Sequence, residues 1–256
     1  MRILIFSDIH ANLPALKAVL KDAKNYDYII FAGDAVDYGP NPAEVVDWLK
    51  ENVDVWVLGN HDNAVAWNVD CGCGELTHEL SVYTRENITY RLLEKAHIET
   101  LRTLPKRKKI EIEGLKFYIV HASPYNPLHA YVYPWLSDEE ILNLMRERTW
   151  SGVASMIDAD VVILGHTHFP MNKRITNFMI VNPGSVGQPR DEDNRASYGI
   201  FDVDKRTFEI RRVKYDVEKT IEEIKKLKLE KKYERWLISL LMHADARIAK
   251  EIAEKS

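Results

Sequence analysis

Three apolar runs near the start of the chain, Ile3-Leu4-Ile5-Phe6, Tyr28-Ile29-Ile30-Phe31 and Val53 to Leu58, each break into polar residues at their C-terminal end. The breaks read Ser7-Asp8-Ile9-His10, Gly33-Asp34 and Gly59-Asn60-His61-Asp62. Residues at helical spacing separate the runs. Leu13, Leu16, Val19, Leu20 and Ala23 follow a candidate cap at Asn12 with Pro14 in the first turn, and Val45, Val46 and Leu49 lie between Pro42 and Lys50. Apolar strands alternating with helices predict an α/β sheet with a parallel part. In such sheets ligands bind beyond the carboxyl ends of the strands, and here those ends carry the Asp, His and Asn residues. A first strand extending through His10 would set Asp8 and His10 on one face, where both could grip one ion.

The rest of the chain sorts around this frame. Asn63 to Leu104 loses the strand pattern, and Leu76, Leu80, Tyr83, Leu92, Leu93 and Ala96 predict a helical insertion (63–104) over the sheet. Lys109 to Ile112 and Leu115 to Val120 form a predicted hairpin across Glu113-Gly114 that ends in His121. Pro124 to Thr149, rich in Tyr, Pro and Trp, is expected to wall the substrate pocket. Val161 to Leu164 ends in Gly165-His166-Thr167-His168, Phe178 to Val181 leads into Asn182-Pro183-Gly184-Ser185, and Tyr198 to Val203 pairs with Thr207 to Val213. From Val217 the pattern is helical and charged. Ile221, Ile224 and Leu227 mark one helix; Trp236, Leu237, Leu240, Leu241 and Ile248 mark a second that needs a partner surface, core with some homo-oligomer contact. The expected organisation is a main domain over residues 1–215 and a C-terminal helical extension over 216–256.

The 256 residues, 46% hydrophobic and 29% charged, suffice for one large domain with a full core. The N-terminal apolar run stops at Asp8, far short of a signal-peptide core, and no later segment is long enough to span a membrane. Cys71 and Cys73 are too few and too close for a disulfide framework, and a cytoplasmic location without a membrane partner is expected. A net charge of -4 argues against a protein that coats nucleic acid. The basic run Pro105-Lys106-Arg107-Lys108-Lys109 lacks interleaved aromatics and reads as the solvated start of a hairpin, so no extended nucleic-acid surface is expected.

The polar residues at strand ends form five groups: Asp8 with His10, Asp34, Asn60 with His61, His121, and His166 with His168. Each follows an apolar strand, and four are flanked by Gly or Ser, which let the chain turn sharply. Independent structural histidines do not account for that repetition, and the joint reading is a metal site. The order D-x-H, G-D-x-x-D, G-N-H-D, an isolated His and G-H-T-H resembles the calcineurin-like metallophosphoesterases. The Asn182-Pro183-Gly184-Ser185 turn extends the likeness to their compact bacterial and archaeal type. The resemblance implies a β-sandwich flanked by helices, a four-layer αββα fold; the insertions and C-terminal helices lie outside it. It also implies one metal on Asp8, His10 and His168, another on Asn60, His121 and His166, and Asp34 bridging both.

Two divalent ions against two anionic ligands leave a charge of about +2, which suits a phosphate. Imidazole and carboxylate donors fit two divalent transition-metal ions, Mn first and Fe, Ni, Co or Zn as alternatives, and argue against Ca. The implied activity is hydrolysis of small phosphodiesters or phosphomonoesters, nucleotide-derived compounds among them, by attack of a metal-bridging hydroxide. In the family the His of G-N-H, here His61, acts as general acid and is held by the second Asp of G-D-x-x-D, here Asp37. Protein phosphatases of the superfamily place an Arg straight after that Asp; Tyr38 stands here, which argues against a protein phosphatase. Asn12, Tyr38 and Arg190 are the candidate substrate contacts. Cys71-Gly72-Cys73-Gly74 beside His78 lacks the second pair of a zinc ribbon and reads as a flexible loop. Two rival functions are a nuclease of the same superfamily, which needs a long basic groove, and a non-catalytic scaffold like the retromer subunit, which would show degraded ligands. All seven ligand positions and His61 are filled.

Overall fold

The computed structural model describes residues 1–148, 152 and 154–255. Its strands are β1 (Arg2–Phe6), β2 (Tyr28–Phe31), β3 (Val55–Trp56), β4 (Arg107–Ile112), β5 (Leu115–Val120), β6 (Arg146–Arg148), β7 (Ala154–Met156), β8 (Val161–Ile163), β9 (Met171–Ile175), β10 (Phe178–Asn182), β11 (Ala196–Asp202) and β12 (Thr207–Val213). Its helices are α1 (Leu13–Asp22), α2 (Pro42–Asn52), α3 (Asn60–Trp67), α4 (His78–Thr84), α5 (Tyr90–Leu92), α6 (Lys95–Thr103), α7 (Asp138–Leu144), α8 (Val217–Lys226), α9 (Lys231–His243) and α10 (Ala246–Glu254), with a π-helical turn at Arg85–Thr89. The expected pocket wall at 124–149 ends at Thr149, outside the described residues.

Two five-stranded sheets face each other, one ordered β12-β11-β1-β2-β3 and the other β4-β5-β8-β10-β9. The strands that carry the site motifs form their parallel parts: β1 with β2, β2 with β3, β5 with β8, and β8 with β10. Alternation along β1 divides its side chains between two layers. Ile3 and Ile5 join Ile30, Phe117, Ile119, Val161, Val181 and Phe201 between the sheets, while Leu4 and Phe6 turn outward to Leu16, Val19, Val45 and Val46 of α1 and α2. The outer face of the second sheet is covered by Ile141 of α7 together with Val132 and Met145. The result is the four-layer sandwich expected from the sequence, with both sheets pointing their parallel C-terminal ends the same way.

Three elements differ from expectation. The third apolar run forms only the two-residue β3 at a sheet edge, because the Leu58 amide leaves the ladder and donates to the Pro105 carbonyl at 2.8 Å. Strand β9 was not anticipated; as an edge strand reading Met-Asn-Lys-Arg-Ile it carries too few apolar residues to stand out. The second C-terminal helix is really two, since Ala244 adopts φ 50 and Asp245 caps α10 by accepting from the amides of Arg247 and Ile248. Among these helices Trp236, Leu237 and Leu240 of α9 are buried in one cluster with Tyr38, Leu80 and Ile88, so the C-terminal segment packs against the loop that follows β2. Trp236→Ala, at a fully buried ring, should cost about 3–5 kcal/mol in a denaturant titration.

Candidate active site

The side chains at the strand ends are set by backbone strain rather than by strand alternation. β1 ends at Phe6, and Asp8 (φ 53), His10 (φ 46) and Ala11 (φ 53) lie in the left-handed region. So do Asp34 (φ 64), Asp37 (φ 66), Tyr38 (φ 63), His166 (φ 67) and His168 (φ 63). Strand alternation therefore does not place Asp8 and His10, contrary to expectation: they converge because the chain coils after the strand, with His10 N–H donating to the Asp34 carbonyl at 3.1 Å. Left-handed conformations cost L-residues about 1–2 kcal/mol each, a concentration of strain that marks functional loops. Gly33 (φ 97) serves the turn itself, whereas Gly59 and Gly165 serve close approach. A Cβ at Gly59 would lie 2.0 Å from Asp34 Oδ1, and one at Gly165 would lie 2.0 Å from Ser7 Oγ.

Each of the two central carboxylates takes a backbone N–H from another loop. Asp34 Oδ1 accepts from His61 N at 2.9 Å, and Asp8 accepts from His166 N at 3.1 Å through Oδ2. Asp34 Oδ2 is buried without a hydrogen-bond partner, 3.1 Å from His121 Nε2 and 3.9 Å from His10 Nε2. The imidazoles are oriented by backbone carbonyls. His10 Nδ1 donates to Val36 O at 3.0 Å, His121 Nδ1 to Ala32 O at 2.7 Å, and His168 Nδ1 to Gln188 O. Neutral His10 and His168 therefore both present unprotonated Nε2 atoms, and these face each other at 3.3 Å with Asp8 Oδ1 3.4 Å from His168 Nε2. Asn60 donates its Nδ2 to Cys71 O, which turns its Oδ1 toward His121 Nε2 at 3.1 Å and His166 Nδ1 at 3.0 Å.

Such a gathering of lone pairs in a dry interior calls for positive charge. Burial pulls His10 down to about 3 and holds His168 well below the ordinary range, so neither supplies a proton to the other. Burial and the neighbouring Asp34 push the Asp8 carboxyl up to about 7, while at His121 the carboxylates of Asp34 and Asp8 outweigh burial and raise it to about 9. The donor atoms of Asp8, His10 and His168 lie within 4.8 Å of one another, as do those of Asp34, His121 and His166. Nitrogen and oxygen donors on an orphaned carboxylate oxygen and facing Nε2 atoms are a fit for divalent transition metals.

Beside this cluster, His61 Nδ1 donates to Asp37 Oδ2 at 2.9 Å, which leaves Nε2 as the ring's working atom. The structure adds a partner that no sequence motif signalled. Arg85, in the π-helical turn of the insertion, donates from Nε (3.0 Å) and Nη2 (2.6 Å) to the same Asp37 oxygen, and Thr89 Oγ1 donates to the other at 3.1 Å. Burial raises Asp37, but Arg85 and His61 hold it below the usual carboxylate range; burial lowers His61, but Asp34, Cys71 and Asp37 raise it overall. Asp62 was also overlooked. Its buried carboxylate accepts from the amides of Asp34 (2.9 Å), Ala35 (2.8 Å), Val36 (3.3 Å) and Gly59 (3.2 Å), pinning the Asp34 loop to the start of α3. Across the site, Asn182 Nδ2 donates to Gly165 O at 2.7 Å and Ser185 Oγ to Asp8 O at 2.7 Å, so the Asn182–Ser185 turn clamps loops of both sheets.

Of the expected substrate contacts, Arg190 reaches the open cleft beside the cluster, where Tyr131, Tyr133 and Trp135 form the facing wall. Tyr38 is buried, its ring edge-on to His10 at 4.9 Å and tilted against His61 at 5.1 Å, so it supports both histidines. Asn12 is not brought to the open face. Its Oδ1 caps α1 through Ala15 N and accepts from Thr220 Oγ1, while its Nδ2 donates to Gly187 O and Tyr215 Oη. The Cys71–Gly74 segment is likewise no loose loop: Cys71 is buried, its Sγ lies 2.8 Å from Cys73 Sγ, and its carbonyl orients Asn60. In the basic run, Arg107 and Lys109 pair with Glu147, both at 2.9 Å.

A family model for the calcineurin-like phosphoesterase superfamily domain matches residues 1–206. The chain belongs to this superfamily. It is thereby a phosphoric ester hydrolase, and membership implies a divalent metal cofactor. An uncharacterized protein of Methanocaldococcus jannaschii is 33% identical over 245 residues, covering 89% of this chain and 93% of that one. The crystal structure of a metallophosphoesterase from Sphaerobacter thermophilus is 31% identical, with a TM-score of 0.77 and coverage of 95% of this chain and 99% of that one. A phosphodiesterase of Escherichia coli is 22% identical over 214 residues, 80% of this chain and 89% of that one. Among the described residues no helix is long and apolar enough to cross a membrane.

Asp62→Ala would strand backbone donors inside the site. It should lower stability by roughly 1–3 kcal/mol per the cost of unmet buried partners, and reduce metal uptake in equilibrium dialysis by loosening Asp34.

Proposed function

We propose that the chain is a binuclear metal-dependent hydrolase of small phosphodiesters, with phosphomonoesters as secondary substrates. The observation that carries this reading is the pair of donor sets Asp8-His10-His168 and Asp34-His121-His166, with Asn60 Oδ1 beside the latter two histidines and Asp34 Oδ2 unpartnered within reach of His121 and His10. Asp8, His10 and His168 would hold one ion, Asn60, His121 and His166 the other, and Asp34 both; Mn is the leading candidate for this nitrogen and oxygen set. When bound, two such ions supply an activated water nucleophile and a positive clamp on the phosphoryl oxygens. The likeness to a phosphodiesterase of Escherichia coli supports the diester preference.

The protein's own contribution then concerns the leaving group. With its Nδ1 proton fixed on Asp37, protonated His61 presents Nε2–H to the departing alkoxide oxygen and releases it as an alcohol. Asp37 is held anionic by Arg85 and so stabilises the imidazolium; Tyr38 and His10 pack against its ring and keep it in place. His61 is raised by its carboxylate neighbours, so the competent acid form is present at low pH and is lost as pH rises through its own pKa. His61→Ala should accordingly retain metal, lose roughly a hundred- to ten-thousand-fold in turnover on alkyl diesters, and lose the alkaline limb of the rate profile. An unchanged limb would exclude His61 as the acid.

Metal occupancy separates the ligand roles. By elemental analysis after Mn loading, Asp8→Ala should keep one ion per chain, whereas Asp34→Ala should keep neither; equal residual occupancy in the two variants would contradict a bridging Asp34.

A further inference from the structure

The excursion after β5 builds a stack of rings that starts on a residue of the metal cluster and runs outward. Tyr131 lies 4.1 Å from the His166 ring at 30°, Tyr133 lies 5.4 Å from Tyr131 at 10°, and Trp135 lies 4.6 Å from Tyr133 at 10°. Phe169 flanks the outer pair edge-on, 5.0 Å from Trp135 and 6.0 Å from Tyr133. Val132, within the ladder segment, and Leu136, just after it, take the opposite role: Val132 is buried and Leu136 packs in the same apolar cluster under the second sheet. Anchoring of this segment is thus supplied by Val132 and Leu136, and the ladder of rings is left over. Trp135 keeps 63% of its surface exposed, an open aromatic face that contributes little to the core.

The ladder forms one side of a cleft of about 580 Å³, within the range of sites for small organic ligands. Arg247 and Lys250 of α10 border the cleft together with Arg190. Glu75, Glu192 and Asp245 border it too, but Asp245 Oδ1 is committed to capping α10. Helix α10 lies beyond residue 206, where the match to the family domain ends, so part of the cleft's border stands outside that domain. Parallel aromatic faces bind flat bases irrespective of their sequence, and guanidinium and ammonium groups nearby bind phosphate.

We propose that the substrate is a nucleotide-derived phosphoester whose base stacks on the outward face of Trp135, at the end of the ring ladder, and whose second phosphate meets Arg190, Arg247 and Lys250. This assignment rests on the phosphoesterase reading of the adjacent metal centre. It makes Trp135 a specificity residue, with Tyr133 backing its ring, and gives α10 a part in recognition.

Titration calorimetry of the Mn-loaded full chain with AMP, ribose 5-phosphate, ADP and adenosine tests binding directly. AMP should bind at least about tenfold more tightly than ribose 5-phosphate, which differs only in lacking the base. Trp135→Ala should abolish that ratio and Trp135→Phe, which keeps a flat ring, should restore most of it. An Arg247→Gln, Lys250→Gln double variant should weaken ADP several-fold more than adenosine. Equal affinity for AMP and ribose 5-phosphate, or equal losses for both ligands in Trp135→Ala, would overturn the base platform. In hydrolysis, kcat/KM for the dinucleotide ApA should exceed that for glycerophosphoethanolamine, with the preference lost in Trp135→Ala. Turnover of both without preference would sink the platform and spare the esterase; turnover of neither, with Trp135-dependent AMP binding, would do the reverse.

Discussion

Uncompensated lone pairs at the centre of the sandwich are the constraint on which the rest of the structure depends. Two carboxylates and four imidazoles are buried together, and the carboxylates and the rings of His10, His121 and His168 are aimed inward by hydrogen bonds on their far sides. Taken alone such an arrangement is unfavourable, because like-charged oxygens and facing nitrogens repel in a medium that screens poorly. It persists because each group is tied elsewhere: the imidazoles to the carbonyls of Val36, Ala32 and Gln188, the carboxylates to the amides of His61 and His166. The cluster is thereby suited to cations, and the raised His121 records the negative field of Asp34 and Asp8.

Holding that place costs backbone strain, which the two sheets offset. The left-handed residues from Asp8 to Tyr38 and at His166 and His168 sit where parallel strands end, and the strands beneath them are among the most deeply buried in the molecule. Local ties then over-determine each turn. Asp62 gathers the amides of the Asp34 loop, Asn182 holds the His166 turn, and Ser185 reaches across to Asp8 in the other sheet. Because ties of this kind join both sheets, movement of one ligand loop strains the others, and the site acts as a unit.

The attachments to the sandwich divide the remaining work. The insertion brings Arg85 and Ser81 to the Asp37–His61 pair, and the excursion after β5 supplies the ring ladder. The C-terminal helices bury Trp236 against Tyr38 while α10 borders the cleft. The side chains that brace the Asp37–His61 pair and those that border the cleft thus come largely from segments added around the sandwich.

The sequence by itself determined most of the sandwich strands and the cluster of buried Asp, His and Asn side chains, because each of these residues stands directly after an apolar run and short-range patterning is what periodicity reports. It also placed His61 beside Asn60 and left Asp37 as its partner. What only the tertiary structure decided are contacts between distant segments. Arg85 reaches Asp37 across 48 positions, and Asn12 accepts from Thr220 across 208. Neither residue differs locally from any solvated Arg or helix-capping Asn, so their roles arise from packing. The convergence of Asp8 and His10 was legible as an outcome but not in its cause. Strand alternation would have served only if β1 continued, and the left-handed turns that replace it are stabilised by partners from the other loops.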